Sequence, residues 1–128
     1  MNASPEAFGF KLDVWEAAKC EAICVMLRAG RNGNYIFYSD LARQVTSISL
    51  EPHSFAMDRF LDEISKEEDM AGRGILTALV VLKEQGIPGS GFWATAADIG
   101  RHTRNKLACW SNEFARVLAE CKKDPRCR

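Results

Sequence analysis

The chain has no apolar run long enough to cross a bilayer. The longest, such as Ile75–Leu82, fall far short of the roughly 20 residues a helical span needs. Met1–Phe10 has no basic region followed by an apolar one, so it does not read as a secretory signal. An excess of one charge is missing too: Lys plus Arg and Asp plus Glu are each 17, so no overall field draws the chain to nucleic acid or an anionic membrane. No Gly-x-Ser-x-Gly, His-Glu-x-x-His or Gly-x-x-x-x-Gly-Lys occurs, which removes the common hydrolase, zinc-protease and phosphate-loop signatures. Gly86–Gly91 is glycine-rich but lacks the Lys-Ser/Thr of a phosphate loop, and reads as a hairpin loop. The five cysteines are odd in number, and Cys20, Cys24 and Cys109 fall inside helix-like patterns. That disfavours a disulfide framework; reduced thiols in a cytoplasmic protein are expected, with Cys121 and Cys127 beside a basic tail where a bridge reflects oxidation more than redox function.

What is present is an ordinary globular balance over 128 residues, 47% hydrophobic and 27% charged. Asp13–Ala29 repeats Trp15, Ala18, Ala22, Ile23, Met26 and Leu27 at helical spacing, with Gly30 closing it and Arg31–Asn34 as a turn. Tyr35–Tyr38 reads as a short strand, Asp40–Val45 as a short helix capped by Ser39, and Thr46–His53 as a loop. Ser54 caps a third helix from Phe55 to Met70, striped by Met57, Phe60, Leu61 and Ile64 and ended by Gly72 and Gly74. Ile75–Val81 is β-rich and apolar throughout, which predicts a strand covered on both faces. Phe92–Ile99 is expected to enter as a strand and continue as a helix. A last helix, Thr103–Cys121, carries Leu107, Trp110, Phe114 and Val117. The expected fold is α+β: one domain over 1–128, with a small winged-helix-like core of helices and a short sheet, an added C-terminal helix, and flexible ends at 1–12 and 122–128.

Within that order, Tyr38-Ser-Asp-Leu-Ala42 resembles the Tyr-x-x-Leu-Ala entry to the helix-turn-helix of the alkylguanine-DNA alkyltransferase family, over about residues 25–92. That family's reactive Cys and His would fall near Leu76–Val81, which has neither, and its DNA-inserting Arg would correspond to Phe55. The resemblance therefore implies a fold without the activity. Gly72–Val81 followed by Pro88–Phe92 is similar to a run in small bacterial proteins, a likeness that implies no function.

Cys20 and Cys24 are spaced to put two thiolates on a metal, but further ligands are lacking beyond His53, His102 and distant cysteines; small core residues are the simpler reading. No cofactor is expected. The third helix is acidic: Asp58, Asp62, Glu63 and Glu67, with Glu68 and Asp69, outnumber Arg59 and Lys66. A helix of that sign is repelled by the phosphates lining a major groove. Asp58, Asp62, Glu63 and Glu67 are accordingly candidate protein contacts. Arg101, Arg104 and Lys106, with the basic tail, are candidates for an acidic partner or nucleic acid. The expected function is a non-enzymatic binding protein acting by protein–protein contact or self-association, of an immunity or antitoxin type; the alternative is a nucleic-acid-binding winged-helix protein. Trp93, Trp110 and Phe92 are candidates for an exposed apolar patch.

Overall fold

A computed structural model describes residues 6–128; the first five residues of the expected flexible segment 1–12 lie outside the described residues. The rest of that segment is built into a hairpin. β1 (Glu6–Ala7) and β2 (Phe10–Lys11) pair antiparallel around Phe8 and Gly9, both at positive φ (53° and 88°). Two-residue turns of that sign match the twist of the flanking strands.

α1 (Leu12–Arg31) extends beyond both ends of the expected helix and buries Trp15, Ala18, Ala22, Val25, Met26 and Leu27. Gly30, expected to end the helix, lies buried inside it. A Cβ there would overlap the Cys121 side chain and sit 3.1 Å from Leu79 Cδ1, so close packing requires the glycine. The turn falls to Gly33, at φ 72°.

β3 (Ile36–Phe37) leads directly into α2 (Tyr38–Gln44), so Tyr38 is helical where a strand was expected. The following loop is fastened to α1 by Glu21, whose carboxylate accepts from Ser47 N at 2.8 Å and Thr46 Oγ1 at 2.6 Å. α3 (Phe55–Met70) begins where Ser54 predicts, with Ser54 Oγ accepting from Met57 N at 3.1 Å. Gly72 and Gly74, at φ 83° and 87°, turn the chain away from it.

Only the end of Ile75–Val81 is a strand. Leu76–Leu79 form a 3-10 turn, and β4 (Val80–Val81) pairs in parallel with β3, Ile36 opposite Val80 and Phe37 opposite Val81. Every residue from Ile75 to Val81 is at most 5% exposed. The apolar composition therefore reports burial between helices and not a ladder. α4 (Ser90–Ile99) is helical from its first residue, ending at Gly100 in the left-handed region (φ 102°). This corrects the expected strand entry. Among the described residues the only antiparallel pair is the N-terminal hairpin, and the chain after β4 makes no β return.

α5 (Lys106–Lys123) starts after the expected Thr103, capped by Asn105, whose Oδ1 accepts from Ala108 N at 3.0 Å. Its buried face is Glu113, Val117 and Cys121, with Trp110 and Phe114 half-buried; Leu107, expected in the stripe, is 61% exposed. The tail is not loose: Cys24 and Cys127 form a disulfide, which corrects the expectation of reduced thiols at those positions. Sequence separation of 103 hid the pair, because only the packing of α5 on α1 brings the two ends together. None of the described helices is long and apolar enough to cross a membrane.

Phe60 and Leu79 are both fully buried, and truncating either to Ala should cost about 2–5 kcal/mol, read as a lowered denaturant midpoint against an exposed Lys122→Ala control. Glu21 provides a second test. Hydrogen bonds from Ser47 and Thr46 pull its carboxyl down from 4.5 to about 2. A folded-state value below the unfolded one gives stability that is present above pH 4.5 and lost as pH falls toward 2. Glu21→Gln should lower the midpoint at pH 6 and leave it unchanged at pH 2, flattening the acid limb.

Candidate functional site

The acidic helix does not present a row of free carboxylates. Asp62 is buried: its Oδ1 accepts from Thr95 Oγ1 at 2.7 Å, and its Oδ2 lies 2.8 Å from Arg59 and 3.1 Å from Lys66. Burial pushes the Asp62 carboxyl up, but Thr95, Lys66 and Arg59 outweigh it and hold the group below its usual range. The Asp62 carboxylate, expected from sequence at a contact face, is thus engaged within the fold. Glu63 and Glu67 face α1, where Lys19 is only 2% exposed. Its ammonium is 3.2 Å from Glu63, 2.6 Å from Glu67 and 3.2 Å from Glu16, and Trp15 Nε1 donates to Glu63 at 3.1 Å. Desolvation favours the neutral amine, yet the hydrogen-bonded carboxylates win and raise its pKa. Glu16 and Glu67 keep half their side-chain surface (53% and 56%) and Glu63 a third (34%), so this seam is a ridge of carboxylates in water with one ammonium beneath it.

Asp58 sits apart from that seam, beside a cleft of about 240 Å³ lined by Tyr38, His53, Leu82, Gly89 and Ser90. Tyr38, nearly buried, accepts from Gly89 N at 2.9 Å, and a Cβ on Gly89 would lie 3.3 Å from the phenol oxygen. Burial raises the Tyr38 pKa, keeping it a neutral phenol. A buried Ser65–Thr77 hydroxyl pair at 2.5 Å and the Thr95–Asp62 bond complete the polar wall behind it. The Ser65–Thr77 and Thr95–Asp62 pairs satisfy one another internally.

The basic candidates divide as well. Arg101 is committed internally, to Asp69 and, at 2.8 Å, to Glu113. Both partners raise its pKa, Glu113 the more, and Glu113 in turn is pulled below its usual range against the opposing effect of burial. Arg104 and Lys106 are exposed, the Lys106 ammonium 5.4 Å from the Trp93 ring centroid. One of the three expected cations is thus structural.

The aromatic candidates are covered: Phe92 is buried and Trp93 and Trp110 are half-buried, with Trp110 Nε1 donating to Ala78 O at 2.8 Å. The exposed apolar patch lies elsewhere. Phe8, Leu12 and Phe55 are 45%, 41% and 69% exposed. The Phe8 and Phe55 rings meet edge-on at 5.7 Å, and Phe8 leans on the buried Trp15 at 5.3 Å. Sequence reasoning missed this patch because nothing in the chain marks the hairpin that lifts Phe8 onto the start of α3. Lys19 was missed too, although its place one helical turn after Trp15, on the buried stripe, is a signal that marks it.

Among the described residues no cluster of three or more His, Cys, Asp or Glu side chains is arranged to hold a metal, and Cys24 is taken by the disulfide. No family model, curated protein or solved structure matches this chain.

Glu113 is the test of how far these charges are structural. Its Oε2 accepts from Ile75 N at 2.9 Å while Oε1 holds Arg101. Glu113→Ala should destabilise by about 3–5 kcal/mol, since it leaves a part-buried guanidinium and a buried N–H without their acceptor. Glu113→Gln keeps an acceptor for Ile75 and should lose less, both read by urea unfolding.

Proposed function

We propose that this chain is a non-enzymatic protein-contact module that receives a basic, amphipathic segment of another protein on the end of the α1–α3 seam. The observation that carries the reading is the Phe8–Phe55 patch. Phe8, against the buried Trp15, and Phe55, edge-on to Phe8, both keep a large part of their surface in water. Exposed aromatic clusters of this kind favour partner surfaces, which are enriched in aromatic residues at their centres. The seam leading away from the patch supplies the sign of the partner: Glu16, Glu63 and Glu67 against the single Lys19. Of the acidic residues singled out from sequence, Glu63 and Glu67 belong to this face.

A second copy is a poor occupant, because a two-fold contact would set the carboxylate ridges against each other. A cytoplasmic immunity- or antitoxin-type role, neutralising a basic surface, is the setting such a face suits. In the same reading the core from α1 to β4 is a winged-helix-like scaffold used for protein contact. Nucleic-acid binding has less behind it, since Arg101 is spent on Asp69 and Glu113.

The test is fluorescence anisotropy with a labelled amphipathic peptide, leucines and tryptophan on one face and lysines on the other, beside its glutamate counterpart. The basic peptide should bind saturably, and Phe55→Ser, as loss of a central aromatic contact, should weaken it at least about tenfold. Glu16→Gln with Glu67→Gln, which keeps amide oxygens for Lys19 and leaves Glu63 in place, should also weaken it, with unchanged circular dichroism. Equal binding of both peptides would count against the reading. Salt-sensitive binding of duplex DNA, lost in Arg104→Ala with Lys106→Ala, would replace it.

A further inference from the structure

The tail beyond α5 is held by polar contacts and one covalent bond, with almost no apolar anchor. From Lys122 to Arg128 only Asp124 is buried. Arg31, at the end of α1, donates to the carbonyls of Cys121, Asp124, Arg126 and Cys127. Arg126 bridges Asp124 and the buried Glu68, at 2.8 and 2.7 Å. Arg128 donates to the Asp124 carbonyl at 3.0 Å and the Lys122 carbonyl at 2.8 Å. Hydrogen bonds at a wet surface each contribute little, whereas the Cys24–Cys127 bond makes the whole set intramolecular over a separation of 103 residues.

That bond is also within reach of a reductant. Cys127 is exposed, and Cys24 lines an open depression of about 350 Å³ with Cys20, Glu21, Arg28 and Gln44. Arg28 lies one helical turn beyond Cys24, where its charge favours a departing thiolate.

We propose that Cys24–Cys127 is a thiol–disulfide exchange site, taking a dithiol as its reductant, and that its cleavage frees residues 122–128, the last two residues of α5 with the tail beyond it, as a basic segment. One thiolate of the dithiol attacks Cys127 Sγ, and Cys24 leaves as a thiolate and takes a proton. The reductant's second thiol then displaces Cys127, which takes the other proton as the reductant closes its own disulfide. Two electrons and two protons pass to the protein. The freed segment carries Lys122, Lys123, Arg126 and Arg128 against Asp124, while Glu68 keeps Arg73 at 2.9 Å. Reduction thus converts a self-paired strap into a cationic tail. The proposal rests on the strap alone and is independent of the Phe8–Phe55 face.

The experiment uses the full chain, oxidised in air and then titrated with dithiothreitol, read by thiol alkylation, limited trypsin digestion and circular dichroism. In the oxidised protein Cys24 and Cys127 should resist alkylation while exposed Cys20 reacts. On reduction, cleavage after Lys122 and Lys123 should accelerate at least about tenfold with helix content unchanged apart from the last turn of α5, because cutting follows the population of the open tail. Cys127→Ser should show the fast cleavage without reductant, and Cys20→Ser should behave as wild type. Equal cleavage in both states, alkylation of Cys24 and Cys127 after air oxidation, or loss of helix beyond that last turn on reduction would each overturn the proposal.

Discussion

The structure depends on how Ile75–Val81 is buried. This segment runs between α1, α3 and α5 with every residue out of water, yet only its last two residues belong to a sheet. A buried backbone outside a ladder must find its hydrogen bonds elsewhere. Glu113 receives the Ile75 N–H, Trp110 donates to the Ala78 carbonyl, and Ser65 meets the Thr77 hydroxyl. Bringing Glu113 inside requires a counter-charge, which Arg101 supplies, and Arg101 draws in Asp69. One apolar segment thus accounts for the placement of α5, of a structural arginine and of the end of α3.

The same logic governs the other charges. A neutral chain with many carboxylates on one helix looks like a molecule with an acidic face, but here several carboxylates compensate buried or half-buried cations. Asp62 takes Arg59 and Lys66, Glu68 takes Arg73 and Arg126, and the Glu16–Glu63–Glu67 ridge takes Lys19. Breaking such a pair costs more than the pair itself contributes, because the remaining charge stays in a poorly solvated place. These residues are constrained by the fold first. The ridge over Lys19 and the aromatic patch at its end are the exposed features on which the proposed contact rests.

The first and the last described segments both close onto α1. The N-terminal hairpin sets Phe8 and Phe10 against Trp15, and the C-terminal strap is fixed to Arg31 and Cys24. Their chemistry differs: the hairpin is held by aromatic burial, which no reagent removes, while the strap is held by polar contacts and a reducible bond. The proposed recognition face and the proposed redox site therefore lie at opposite ends of one helix and would operate separately.

Much of the fold was legible in sequence wherever the cause is local. The stripes at Trp15–Leu27 and Met57–Ile64, the Ser54 cap and the Gly72–Gly74 turn follow from side-chain spacing and from what a few residues do to their own backbone. The burial of Ile75–Val81 was legible too, but not its conformation, since β-branched apolar residues suit any fully enclosed site. The missed features all need partners distant in sequence. Gly30 reads as a stop until Cys121 packs on it, Asp62 as surface until Thr95 and Lys66 close over it, and Arg101 as a free cation until Glu113 and Asp69 arrive. Local chemistry determined which segments form helices and turns. Tertiary packing decided which charges face water, which cysteines meet and where the aromatic patch lies, because those depend on neighbours that sequence order does not supply.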